Sequence, residues 1–222
     1  MRRVLLSVLL VLLCGPALVF LLYRVVPPPI TPLMVIRASE GYPRDYRWMP
    51  LEQISPHLAK AVIASEDNLF CEHWGFDVAQ IGETLRDWHN GERLRGASTI
   101  SMQTTKNLLL WPGRHLPRKV AEAWLTPQLE FLVGKQRILE IYLNIVEMGA
   151  GIYGAEAAAR NYFDKPAADL TPREARLLAA ILPNPLAWSP ELPTPFLNDR
   201  VATIGKRIGQ LGPLLDCAHA SG

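Results

Sequence analysis

Twenty consecutive residues, Val4 to Tyr23, carry no charge, and this run constrains the chain more than any other feature of it. As a helix it would reach roughly 30 Å, the thickness of a bilayer's hydrocarbon core. The alternative is a cleaved signal peptide, whose apolar core spans about 7 to 15 residues before a small-x-small site. The run here is longer and has no A-x-A exit, and Cys14 follows Val11-Leu12-Leu13, a poor lipoprotein signal. A retained anchor is expected over residues 1–26, with Arg2 and Arg3 cytoplasmic by the positive-inside rule and the remaining chain facing outward.

Behind this run, Pro27 to Pro32 read as a stiff polyproline spacer, which places a linker at residues 27–45 and a folded domain at 46–215. With 222 residues, 49% of them apolar, one domain with a substantial core is expected. The net charge of +2 comes largely from the N-terminus: beyond residue 24 the chain holds 20 basic and 21 acidic residues. Such a body is not a polycation, which argues against a general nucleic-acid binder. Cys14, Cys71 and Cys217 are too scattered for a disulfide framework or a zinc knuckle, and no metal-thiolate site is expected. Whether Cys71 and Cys217 pair is left open.

The patterning is helical, with no strands foreseen. Ser55-Pro56 starts a helix that buries Leu58, Ala61 and Val62 and ends near Glu66; Asp77 caps another through Val78, Ile81, Leu85 and Trp88. Ser98 or Thr99 caps a third. A fourth begins near Pro117, should kink at Pro127 and should end at Gly134. Lys135 to Asn144 repeats at helical spacing, and Gly149 to Gly154 reads as a loop opening an Ala-rich helix. Thr171-Pro172-Arg173-Glu174 is a capping box, and Asn198 is the expected cap of a last helix that Gly212-Pro213 closes.

Two stretches carry chemistry. Residues 93–119 contain Arg93, Arg95, Lys106, Arg114, Arg118 and Lys119 without one acidic residue. Unless this is a solvated basic face, it needs an anion, and Thr99, Gln103 and Lys106 would share one helix face near amides that favour phosphate. Upstream, Glu66 and Asp67 stand where an apolar helix runs out; a carboxylate in such a place suits proton transfer when desolvation favours its protonated form. His73 has no second metal-ligating residue at metal-site spacing and is assigned no chemistry.

EDNLFCEHWGFD, GASTISMQTTKN, RKVAE, KQRILEIYLNIVEMGAGIYGAEAAARNYF and EARLLAAILPNP, in that order over roughly residues 50–190, resemble the motifs of the peptidoglycan glycosyltransferases, glycosyltransferase family 51. The resemblance implies a mainly α, lysozyme-like domain of two lobes around a cleft, behind one N-terminal transmembrane helix in the inner membrane. It implies that a lipid-linked glycan is joined to the 4-hydroxyl of lipid II, releasing lipid pyrophosphate. By the same resemblance Glu66 is the general base and Asp67 its motif partner. Glu122 is the second motif glutamate, holding the pyrophosphate through a cation or orienting its basic neighbours. Ser98, Gln103, Lys106, Arg114, Arg118 and Lys119 lie on the donor-pyrophosphate side.

No cofactor is obligatory on this reading, with magnesium or manganese at the pyrophosphate as an optional companion. The partners are lipid II, the growing glycan, the membrane and cell-wall synthesis or division proteins, and no nucleic acid. Met102, where the family usually has a second Gln, and Pro127 depart from the pattern. S-x-x-K and K-T-G, the marks of an added transpeptidase, are absent from these 222 residues. A lysozyme-like hydrolase would have no use for a pyrophosphate cluster. A silent wall-assembly scaffold would tolerate loss of Glu66.

Overall fold

The structure, a computed structural model, describes residues 14–91, 98–113 and 115–218, without the side chains of Leu85 and Trp88. Residues 14–23 are helical (α1), and the first part of the expected anchor lies outside the described residues. Among the described residues no helix is long and apolar enough to cross a membrane.

The chain is mainly helical. In order come α2 (Pro32–Ser39), α3 (Pro56–Glu66), α4 (Val78–His89), α5 (Ile100–Leu109), α6 (Leu116–Val133), α7 (Lys135–Ile145), α8 (Gly154–Phe163), α9 (Pro172–Ile181) and α10 (Pro195–Leu211). Local chemistry sets these limits. Pro56 occupies the first turn of α3, where its missing N–H has no helical partner to lose, and Leu58, Ala61 and Val62 then fall on one fully buried face. Thr171 and Glu174 close the capping box at α9 reciprocally. Gly134, at φ 84°, ends α6 in a backbone region that side chains disfavour.

The helices pack as two groups around a continuous core. In one, α3 lies against α9 and α10; in the other, α5 lies against α6 and α7, and α7 continues onto α8. Fully buried Leu58, Ile63, Ile100, Leu129, Ile138, Leu139 and Ile141 join the two, each worth about 1.5–3 kcal/mol relative to exposure. Cys71 and Cys217 do pair, and their disulfide ties the segment after α3 to the C-terminal 3-10 turn across a separation of 146 residues.

Several expectations are corrected. Residues 149–154 are not all loop: β2 (Glu147–Gly149) and β3 (Ile152–Tyr153) are antiparallel, and β1 (Asp45–Tyr46) pairs parallel to β3 to give the order β1-β3-β2. Gly154, at φ 79°, opens α8 where a Cβ would stand 2.2 Å from the Asn144 carbonyl oxygen. The stretch 27–45 is not simply a spacer, because Thr31 caps α2 through the Met34 N–H and Pro32 is its first residue; Met34 is buried. Thr194, not Asn198, caps α10, since Pro195 can start a helix four residues earlier. Helix α6 contains Pro127 and reaches Gly134, the end expected for it.

The end of α1 is docked on the domain. Phe20 is fully buried, Arg137 Nε donates to the Tyr23 carbonyl at 3.0 Å, and Tyr46 Oη donates to the Pro28 carbonyl at 2.6 Å.

Candidate active site

Glu66 is the last residue of α3, and elements from both helix groups reach it. Oε2 accepts from Gln103 Nε2 of α5 at 3.1 Å. Oε1 accepts from Ser65 Oγ at 3.2 Å and stands 3.7 Å from Arg200 Nη2 of α10. Arg200 is itself held by the Ala180 carbonyl and Ser65 Oγ. Its partial burial lowers its pKa, an effect the charge of Glu66 opposes. The Glu66 side chain keeps 13% of its surface exposed, enough for a ligand atom to reach an oxygen that protein donors hold in place.

Asp67 faces the other way. It is 3% exposed, and Oδ2 accepts the Ile100 N–H at 2.9 Å, satisfying an otherwise free amide at the start of α5. His73 Nε2 lies 2.9 Å from Oδ1, and the Gly75 N–H reaches His73 Nδ1 at 3.0 Å, so the proton of a neutral ring belongs on Nε2. Thr99 caps the same helix through the Met102 N–H and donates to the Gly75 carbonyl. A Cβ on Gly75 would come 2.8 Å from Thr126 Cγ2 of α6, so this turn is pressed closely onto its neighbour. The pair His73 and Asp67 thus fixes where α5 begins.

The cations gather in a pocket of about 350 Å³ between α5 and α6, lined by Ser98, Lys106, Arg118, Lys119 and Glu122 among others. Glu122 is 2% exposed, and both its oxygens are taken: Arg118 Nη1 at 2.6 Å and Lys119 Nζ at 2.5 Å. These pairs follow from the spacing of RKVAE, which sets Arg118 and Lys119 four and three residues before the carboxylate on one helix face. Lys119 Nζ also donates to Ser98 Oγ at 3.0 Å. Arg118 Nε is buried without a hydrogen-bond partner among the described residues. Burial lowers the pKa of Lys106, with Glu122 opposing, and Arg118 and Lys119 push it further down.

The structure therefore separates the expected site residues into three sets. Glu66 and Gln103 meet; Ser98, Lys106, Arg118, Lys119 and Glu122 form the pocket; Asp67 is buried beneath α5 instead of lining a cleft. Arg114 lies outside the described residues. Arg200 and Tyr142, which touch this site directly or through Gln103, were missed. Arg200 lies far from the motif in sequence, and Tyr142 sits on an apolar helical stripe that reads as core. As for a divalent ion, the pocket supplies one carboxylate already committed to two cations, and that donor set does not suit a metal held by the protein.

Residues 34–208 match the family model described as Transglycosylase. A Caulobacter vibrioides protein named biosynthetic peptidoglycan transglycosylase is 49% identical over 98% of this chain and 96% of its own length. A Rhodospirillum centenum protein of the same name is 58% identical over 84% of this chain and 81% of its own. The chain belongs to the transglycosylase family. In this transglycosylase the two departures noted in the sequence are absorbed locally: Met102 is buried in α5, and Glu122, one turn before Pro127, keeps both its ion pairs.

Proposed function

We propose that this chain polymerises lipid II with Glu66 as general base and the pocket cations as the clamp on the departing lipid pyrophosphate. Membership of the family makes it a peptidoglycan glycosyltransferase acting in the cell envelope; the division of labour among residues is the proposal. Its main support is the charge imbalance of the pocket. Lys106, Arg118 and Lys119 face the single carboxylate of Glu122, and a buried guanidinium N–H has no partner among the described residues. Cations in excess, one of them buried and two partly so, call for an anion, and a pyrophosphate offers several oxygens to a guanidinium fork.

The step balances simply. The acceptor's 4-hydroxyl gives its proton to Glu66 as its oxygen bonds to the donor sugar's C1. The bond from C1 to the pyrophosphate oxygen breaks, and the electron pair leaves with the lipid pyrophosphate. Fixed cations lower this barrier because charge grows on the leaving group in the transition state. Helix α5 links the two halves of the reaction: Gln103, against the base, and Lys106, in the pocket, are about 4.5 Å apart along its axis.

The division into α3/α9/α10 and α5/α6/α7, with Glu66 reached from both, supports a lysozyme-like arrangement of two lobes. The uncharged run from Val4 to Tyr23 supports a single-pass inner-membrane protein with its domain in the periplasm, and the disulfide fits that oxidising compartment. Substrates on this reading are lipid II and the lipid-linked glycan, and wall-synthesis or division proteins are the expected neighbours. Incubating the purified full chain with lipid II tests it. Long glycan strands are expected; shortened strands from added polymer, or unchanged lipid II, would overturn it.

A further inference from the structure

Tyr142 lies on α7, away from both the pocket and the exposed edge of Glu66, and it is completely buried. Its hydroxyl donates to Gln103 Oε1 at 3.1 Å. The other end of that amide is also committed, since Nε2 donates to Glu66 Oε2 at 3.1 Å and to the Ser98 carbonyl at 3.4 Å. Both Nε2 partners only accept, so a flipped amide would set its oxygen against a carboxylate and a carbonyl. In the observed orientation the amide oxygen needs a donor, and Tyr142 supplies it. Gln103 is therefore occupied by the protein on both ends.

We infer that Tyr142 is a positioning residue for the glycosyl transfer: it locks the Gln103 amide so that its N–H holds Glu66 Oε2, leaving the carboxylate aimed for the acceptor hydroxyl. This deepens the general-base reading and rests on it. Burial and the nearby charges of Glu66 and Asp67 raise the phenol's pKa well above its ordinary range, so the donor proton stays in place across the working pH. The other groups around the Glu66 carboxylate are Ser65, Arg200 of α10, the adjacent buried Asp67, and Lys106 of α5, with Arg207 of α10 on the Ala64 carbonyl. Among these, the Gln103 amide is the donor on Oε2.

The test is initial rate against lipid II concentration from pH 5 to 10 for the full chain and for Tyr142→Phe, Gln103→Leu and the double variant, with Glu66→Gln alongside. Removing the hydroxyl should lower kcat about tenfold, the scale of the Gln103 hydrogen bond to the Glu66 carboxylate that it would loosen, with KM little changed. The acid limb of the profile should move to higher pH, since Glu66 loses a donor that favours its charged form. The double variant should be no slower than Gln103→Leu, because Tyr142 acts through Gln103. A stationary acid limb, or additive losses, would overturn the inference while inactivity of Glu66→Gln keeps the base assignment intact. An active Glu66→Gln would instead remove the reading beneath it. Circular dichroism on each variant separates misfolding from either outcome, and a Tyr142→Phe that does not fold is replaced by Tyr142→Met, which also lacks the hydroxyl and must show the same limb shift.

Discussion

Glu66 and Glu122 both stand on helices, α3 and α6, yet they are held in opposite ways. The first keeps part of its surface open and contacts an amide, a hydroxyl and a guanidinium at 3.7 Å. The second is sealed at 2% exposure between a guanidinium and an ammonium at direct ion-pair distance. A carboxylate at 2% exposure with a cation on each oxygen leaves little room for a substrate proton to reach it, and its ion pairs fix where those cations stand. The difference separates a group suited to react from a group suited to arrange, although the sequence presents two similar motif glutamates.

The sharpest way to break this comparison is to remove each carboxylate in turn. Glu66→Gln keeps shape and loses the proton acceptor, so polymerisation of lipid II should fall by about 10² to 10⁴ while the urea midpoint stays near that of the parent. Equal activity would place the base elsewhere. Glu122→Gln should instead cost about 3 kcal/mol in urea unfolding, because Arg118 and Lys119 lose their counter-charge and Arg118 is buried. A Glu122→Gln protein as stable as the parent would show that the two sites do not differ as described.

Lys106 sharpens the pocket half. Its depressed pKa means the folded protein releases the Lys106 proton at a lower pH than the unfolded chain does. Below the folded pKa the charged amine opposes folding, and that burden is relieved as pH rises toward the ordinary lysine value. Lys106→Met should therefore be more stable than the parent at pH 7, with the gain shrinking as alkaline pH is approached, while kcat at saturating lipid II falls about tenfold or more. Melting curves at pH 7 and 10 with rates at two salt concentrations check both, and exposed Arg173→Ala serves as the control that should change neither. The smallest effect is expected at Thr171→Ala, far from both glutamates in sequence. Loss of the capping box should lower stability by about 1 kcal/mol and leave the rate unaltered.

What could be read from the residues followed the strength of the local signal. Pro56, Asp77, Thr99, Gly134 and Thr171 mark helix limits by chemistry that acts within four residues, and the structure has helix limits at each. The β2 and β3 strands are three and two residues long, too short for any alternation to register. Helix α2 was hidden because prolines around it suggest extension, while Thr31 and Pro32 also form a cap and first turn. At the site, residue types found the carboxylates and cations, but orientation is a tertiary property. Nothing local says that Asp67 turns beneath α5, or that Tyr142 spends its hydroxyl on Gln103.

The docked end of α1 changes how the N-terminal segment should be pictured. A leash would let the domain tumble and sample any height above a surface. With Phe20 sunk in the core, Arg137 on the Tyr23 carbonyl and Tyr46 on the Pro28 carbonyl, the segment behaves as a fixed arm that transmits its tilt to the body it carries. On the proposed reading, in which the uncharged run is a membrane anchor, the active site keeps one bearing relative to the membrane plane. A strand made there would emerge along a constant heading turn after turn, and its direction would be built into the join between arm and body.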